Sequence, residues 1–146
     1  MREILFRGKR LDNSEWVDGS FCPKNSEGDI PCIIVYNGKM AGYWFEVDRT
    51  TVGQYTGLQD KNGKRIFEGD IIHARMENVK IKDHCLSVVF HNGRFCGLHE
   101  KDGGKMWMPL ADGVKHLPQD KTPYMEWCEM LGNIHDNPEL LKGENT

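Results

Sequence analysis

Histidines and cysteines gathered in one stretch of the chain are the residue types best suited to bind a metal or to act as nucleophiles. They are His84, Cys85, His91, Cys96 and His99. Zinc sites use closely paired ligands, and only Cys96-x-x-His99 approaches such a spacing. Because residues three apart on a strand point to opposite faces of the sheet, this pair does not favour a shared ion, and we expect no metal and no other cofactor. A cysteine and a histidine that meet only in the folded chain remain an alternative, in which the protein is an uncharacterised enzyme.

Carboxylates and glycines give no firmer indication of catalysis. The run Asp60-Lys61-Asn62-Gly63-Lys64 resembles the start of a calcium-binding EF-hand loop. Its sixth position is Arg65 and its twelfth is Ile71, where that loop requires glycine and glutamate. No serine lies in a nucleophile elbow, and no glycine run has the spacing of a phosphate-binding loop. The sequence therefore predicts that the protein is not an enzyme.

A basic hairpin with aromatic neighbours is the pattern that small nucleic-acid-binding barrels use. Lys61, Lys64 and Arg65 cluster in one turn, and Tyr55 and Phe67 flank it. A second basic group near the start of the chain comprises Arg2, Arg7, Lys9 and Arg10. The formal net charge is −3 and the pI is about 6.1, so the chain as a whole does not attract polyanions. Nucleic-acid binding is kept as an alternative but is not favoured.

Exposed apolar and aromatic positions favour a protein-interaction surface instead. The candidates are Trp44 and Phe45, which follow a glycine, and Met106-Trp107-Met108, where flexible methionines flank a tryptophan. A competing interpretation of the second group places Trp107 in the core with the two methionines packed around it. The expected partner is an unidentified protein or a second copy of the chain, as in a homo-oligomer.

Short apolar runs divided by turn residues predict a mostly β fold of antiparallel hairpins. Asn62-Gly63 and Asn92-Gly93 each lie between apolar runs, and both residue types tolerate the positive φ angles of tight hairpins. Gly69-Asp70 predicts a further turn, in which the Asp70 carboxylate bonds back to nearby backbone N–H groups. Strands at this spacing favour a sandwich or a small barrel.

Two segments near the end of the chain have helical features. Residues 123–131 fit either a helix or a closing strand, and the sequence leaves both open. Asn137-Pro138 predicts a helix cap followed by about one helical turn.

The compartment can be judged from the cysteines and the start of the chain. Five cysteines at irregular spacing, without a signal peptide or a membrane-spanning run, predict reduced thiols. We expect a cytoplasmic protein without a membrane partner.

Several strings of residues, taken in order, resemble the YopX family, whose members are small proteins encoded by bacteriophages and prophages. The strings are Met1 to Arg10, Thr51 to Leu58, Asp60 to Lys64, Ile66 to Ile72 and Leu131 to Leu141. Residues 76–121 contain no string that matches the family.

The resemblance implies a small SH3-type barrel over residues 51–146, with an irregular, β-containing N-terminal portion over residues 1–50 packed on it, and we expect the two to form one folding unit. It also implies a phage or prophage gene expressed in the cytoplasm of a bacterial host. The family carries no established activity, cofactor or catalytic residue to transfer. The sequence as a whole therefore predicts a non-catalytic interaction or self-assembling module.

Overall fold

The computed structural model describes residues 3–26, 28–36, 38, 42–74, 84–110 and 124–142. Most of these residues lie in eleven strands, as the apolar runs predicted. The strands are β1 (Phe6–Lys9), β2 (Trp16–Cys22), β3 (Cys32–Tyr36), β4 (Gly42–Glu46), β5 (Gly53–Gln59), β6 (Arg65–Phe67), β7 (Asp70–Ala74), β8 (His84–His91), β9 (Arg94–Lys101), β10 (Gly104–Pro109) and β11 (Cys128–Asn133). A 3-10 turn covers Arg49–Thr51, and the short helix α1 covers Glu139–Lys142. In this part of the chain no helix has the length and apolar character needed to cross a bilayer.

The chain divides into two compact units, Met1–Tyr55 and Thr56–Thr146. The boundary therefore falls between residues 55 and 56, where the sequence placed it between 50 and 51. It lies inside β5. The first residues of β5 pair with β1, while further along the Thr56 hydroxyl donates to the Ile66 carbonyl in β6 at 2.8 Å.

The first unit is an antiparallel sheet in the order β4-β3-β2-β1, with the start of β5 beyond β1. Its buried side chains include Ile33 and Val47. The rings of Phe6 and Phe21 pack with their centres 5.4 Å apart. Burial of these apolar side chains stabilises the sheet of the first unit.

The second unit contains an antiparallel sheet in the order β10-β9-β8-β7-β11. Its buried core joins residues from three of those strands with others from β6 and the connections. The core residues are Ile66, Ile72, Ala74, Leu86, Val88, Leu110, Met125 and Cys128. Burial of this apolar cluster is the main force that stabilises the unit.

Both asparagine–glycine hairpins are confirmed. Asn92 and Gly93 have φ angles of 51° and 79°, and they join β8 to β9 in a two-residue turn. Two consecutive positive φ angles give a turn whose twist matches that of the strands. Gly63, with φ of 79°, ends the turn from β5 to β6, where its N–H donates to the Asp60 carbonyl at 3.0 Å.

The Gly69-Asp70 turn is also confirmed. Gly69 has φ of 87°, a conformation that is strained for a residue with a Cβ. The Asp70 carboxylate accepts a hydrogen bond from the Phe67 N–H at 2.7 Å, as expected. The Gly69 N–H also donates to the Val88 carbonyl in β8, and the Gly69 carbonyl accepts from the Ile134 N–H just after β11, each at 2.8 Å.

The open choice over residues 123–131 is settled in favour of a strand from Cys128 onward, while residue 123 lies outside the described residues. Cys128–Asn133 forms β11 and pairs with β7, with a bulge between Met130 and Gly132. The helical turn after Pro138 is present as α1, but the Asn137 side chain does not act as predicted. Its oxygen accepts a hydrogen bond from the Asn133 N–H at 3.3 Å and so points back toward β11.

The SH3-type barrel is not found among the described residues. The strands there form two antiparallel sheets, each with a first and a last strand, rather than a closed circuit. The mostly β prediction is confirmed, and the barrel remains a prediction.

Candidate interaction surface

Among the described residues, β4 is an edge strand with two exposed aromatic side chains. Tyr43 is 63% exposed and Trp44 is 57% exposed, and Tyr36 on neighbouring β3 is 63% exposed. Trp44 pairs with Ile34, and Tyr43 pairs with Val35, so the two rings project from opposite faces of the sheet. Clusters of large exposed aromatic residues mark interaction sites far more often than single ones do.

The connection from β1 to β2 lies beside the end of β4. Its turn is held by hydrogen bonds from the Arg10 N–H to the Glu15 carbonyl at 2.9 Å and from the Ser14 N–H to the Arg10 carbonyl at 3.0 Å. The Leu11 N–H donates to the Glu46 carbonyl at 3.0 Å, which ties the turn to the strand. The backbone therefore fixes where the Arg10 side chain starts.

A cleft of about 430 Å³ lies between this turn and β4. It is lined by Arg10, Leu11, Asp12, Trp44, Phe45 and Glu46. Trp44 and Leu11 are more than half exposed, so the cleft opens to solvent with apolar surface at its rim.

Arg10 is the charged centre of the cleft. Its guanidinium carbon lies 4.5 Å from the centre of the Phe45 ring, a distance typical of a cation–π contact. Its Nε donates to Asp12 Oδ1 at 2.9 Å, and its Nη2 donates to the other carboxylate oxygen. The hydrogen bond from Arg10 lowers the pKa of Asp12, and the same bond raises the pKa of Arg10. Because Arg10 and Asp12 neutralise each other, the carboxylate of Glu46 gives the cleft lining a net negative formal charge.

Met106, Trp107 and Met108 do not form one surface. Met108 packs against the core of the second unit, and Trp107 projects from the opposite face of β10, because successive strand residues alternate. The Trp107 ring stacks on His91, with centres 4.3 Å apart and planes 7° from parallel. Trp107 is 38% exposed, so the interpretation that places it in the core is also wrong. Met106 and Trp107 are similarly exposed, and Met108 is half-buried.

The basic hairpin presents cations without the predicted aromatic surface. Lys61, Lys64 and Arg65 are exposed, but Tyr55 is only 4% exposed and Phe67 only 5%. In this fold Tyr55 is a core residue and is not accessible for stacking on a base. The Lys61 ammonium also forms an ion pair with Glu129 at 3.3 Å.

The second basic group is engaged with its own unit. The Arg7 guanidinium lies 4.6 Å from the Trp16 ring centre, and Lys9 Nζ lies 5.6 Å from it. Arg10 is held by Phe45 and Asp12, as described above. Arg2 lies outside the described residues.

The described cysteines and histidines do not gather at one metal site, although Cys85 and His73 are register partners in neighbouring strands. Cys96 is fully buried, with its Sγ 3.8 Å from the Arg94 carbonyl, and His91 is stacked on Trp107. Within the described ranges no three residues among His, Cys, Asp and Glu are placed to hold a metal ion.

Sequence reasoning missed three parts of this surface. Tyr36 and Tyr43 are not among the sequence candidates, although the rings of the run Tyr43-Trp44-Phe45 must point to both faces of a strand. The role of Arg10 and Asp12 could not be seen, because it depends on the turn after β1 lying against β4.

The fold and the surface define a mostly β chain of two units with an exposed aromatic edge strand. The family model described as YopX protein matches residues 5–142. The chain therefore belongs to the YopX family, as the resemblance predicted.

Among solved structures, the chain is similar to a protein described as "Crystal structure of protein EF1440 from Enterococcus faecalis". The two are 24% identical, with a TM-score of 0.50, and the match covers 97% of this chain and 99% of the other. At this identity the similarity concerns the fold alone. The comparison with curated proteins gave no significant match.

Proposed function

We propose that the protein is a non-catalytic interaction module that binds an extended segment of a partner protein along β4. The observation that carries the proposal is Trp44, a large aromatic side chain that is 57% exposed on an edge strand and lines a cleft. Tryptophan is enriched among the residues that dominate binding energy, and an edge strand offers free backbone groups to a further strand.

A comparison of the edge strands supports strand addition at β4. β10 is also an edge strand, but it carries Lys105 and ends in Pro109, and both residue types discourage pairing with another chain. β4 reads Gly-Tyr-Trp-Phe-Glu and contains neither lysine nor proline. Among the described residues, the first unit therefore offers a partner strand the edge of β4 from Gly42 to Phe45, while the Glu46 carbonyl already accepts from Leu11.

The charge of the cleft indicates the chemistry of the segment. The carboxylates of Asp12 and Glu46 outnumber the single Arg10 cation in its lining. A segment with a lysine or arginine beside an apolar residue would complement both the charge and the exposed ring of Trp44.

Two further parts of the proposal rest on the family. We propose that the protein works in the cytoplasm of a bacterial host, as the product of a phage or prophage gene. We also propose that residues 51–146 complete an SH3-type barrel, for which an experimental structure of the whole chain is the test.

The test is selection from a peptide-display library, followed by affinity measurement with the full chain. We expect enriched peptides with a basic residue near an apolar one, and we expect Trp44→Ala to weaken their binding at least tenfold. Phe90→Ala is the matched control, because Phe90 is also 57% exposed but lies in the second unit. Equal loss in both variants, or no enriched peptide, contradicts the proposal. If the wild-type chain forms a dimer that Trp44→Ala dissociates, the partner bound along β4 is a second copy of the chain.

A further inference from the structure

Cys22 and Cys32 lie directly opposite each other in neighbouring strands. They are register partners at the end of the β2–β3 pair. The other three cysteines have no such partner: Cys85 pairs with His73, Cys96 with Val89 and Pro109, and Cys128 with Ala74. None of the five cysteines is in a disulfide.

The two sulfur atoms point the same way. Cys22 Sγ lies 2.8 Å from the Lys24 carbonyl oxygen, and Cys32 Sγ lies 3.8 Å from the Ile30 carbonyl oxygen. Both side chains therefore lean past the end of the same strand pair. As opposite residues in register, they also share one face of the sheet.

The backbone spacing of this pair suits a disulfide. The Val47 N–H donates to the Pro31 carbonyl at 3.0 Å, so the peptide groups of Pro31 face β4. The backbone N–H and C=O of the next residue, Cys32, therefore face β2. This makes Cys22 and Cys32 a hydrogen-bonded pair, in which the Cα atoms lie about 5.5 Å apart. Disulfides most often join Cα atoms about 5.5–6 Å apart.

The spacing of the Cβ atoms makes such a link easy to reduce. Opposite Cβ atoms lie about 4.5–5.5 Å apart, toward the upper end in hydrogen-bonded pairs, whereas disulfides prefer about 3.8 Å. Closing the gap strains the strand ends, and strained disulfides are the ones that reductants reopen.

We propose that Cys22 and Cys32 form a site of reversible oxidation, which a low-molecular-weight disulfide such as oxidised glutathione converts to an intramolecular disulfide. Cys22 is half-buried and accessible, and Cys32 is only 1% exposed. Burial raises the pKa of the Cys32 thiol, and the nearby charges of Glu46 and Cys22 raise it further, which fits a resolving role.

The reaction proceeds in two exchanges. The Cys22 thiolate attacks one sulfur of oxidised glutathione, whose S–S bond breaks, and a glutathione thiolate leaves with the electron pair. The Cys32 thiol then loses its proton to solvent and attacks Cys22 Sγ, which releases the second glutathione thiolate. Two protein thiols are oxidised, one glutathione disulfide is reduced to two glutathione molecules, and the protons balance.

The test is to treat the reduced full chain with oxidised glutathione and measure its intact mass. We expect the loss of two hydrogen atoms and a fall of two in the titratable thiols. Trypsin cleaves after Lys24, so the two cysteines fall in separate peptides that only the disulfide joins. Dithiothreitol should restore both thiols. A link between other cysteines, or glutathione adducts that persist without a link, overturns the proposal.

Three variants sharpen the result. Cys32→Ser should trap one glutathione on Cys22, because the resolving thiol is gone, and Cys85→Ser should still form the link. Cys22→Ser keeps a hydrogen-bond donor near the Lys24 carbonyl and should leave Cys32 reduced. A glutathione adduct on Cys32 in that variant contradicts the assigned order of attack.

Discussion

The Asp60 carboxylate accepts a hydrogen bond from the Met130 N–H at 3.0 Å, although the two residues are 70 positions apart. Its other oxygen accepts from the N–H groups of Asn62 and Lys64, each at 2.9 Å. Asp60 is fully buried. One side chain thus fixes the turn between β5 and β6 and joins it to β11.

Replacing this carboxylate should destabilise the second unit. We expect Asp60→Ala to lower the free energy of unfolding by roughly 2–4 kcal/mol, because three backbone N–H groups lose a charged acceptor. Urea denaturation measures the change. Asp29→Ala removes an exposed ion pair with Lys24 and should cost less than about 1 kcal/mol. Equal effects of the two substitutions would contradict the assigned role of Asp60.

The raised pKa of Cys128 should lower the free energy of unfolding in alkaline solution. Burial raises its pKa from 9.0 to about 12, and the charges of Asp60, Asp70 and Glu129 add to the effect. Above pH 9 the unfolded thiol releases its proton while the folded thiol keeps it. The stability contribution is therefore complete below pH 9 and is lost as the pH rises toward 12, at about 1.4 kcal/mol per pH unit.

The measurement is urea denaturation at pH 8 and pH 10 of the wild-type chain and of Cys128→Ala. We expect the wild type to lose about 1.4 kcal/mol more than the variant between these two values. Parallel losses in the two proteins would show that Cys128 does not titrate as described.

Substitutions at Trp44 and Ile33 should distinguish a residue that serves binding from one that serves folding. Ile33 lies on β3 beside β4 and is fully buried, so Ile33→Ala should cost about 2–5 kcal/mol of unfolding free energy. Trp44→Ala should cost less than about 1 kcal/mol, because its ring is largely in solvent. Thermal denaturation followed by circular dichroism compares them. A large loss with Trp44→Ala would make Trp44 a structural residue and remove the main support for the proposed surface.

The exposed cations of the basic hairpin should not suffice to bind nucleic acids. We expect no retention of the wild-type chain on single-stranded DNA or RNA at low salt, because Tyr55 and Phe67 are buried and Lys61 is paired with Glu129. Fluorescence anisotropy with labelled oligonucleotides measures this. Salt-sensitive binding that Lys64→Ala/Arg65→Ala weakens would favour the nucleic-acid alternative instead.

Features that depend on a few adjacent residues could be predicted from the sequence. Asn92-Gly93 specifies its turn because both residues adopt positive φ at little cost. The same signal at Asp102-Gly103, with φ angles of 52° and 81°, marks a third hairpin, between β9 and β10. That dipeptide was available in the sequence and could have been used.

Features that depend on distant residues could not be predicted. Nothing near Asp60 indicates that its acceptor will meet the Met130 N–H, since that contact depends on the fold of the whole second unit. The opposition of Cys22 and Cys32 depends on the register of two strands, and a shift of one residue would place them on different faces. The same holds for Tyr55, whose burial follows from the sheet around it and not from its neighbours in sequence.

The passage of the chain from one unit to the next within β5 determines how the protein can be divided for experiments. A cut between Tyr55 and Thr56 would split β5, so that the residues paired with β1 and the residues beside β6 would each become the frayed end of a separate fragment. Fragments meant to be produced separately should therefore both include residues 53–59.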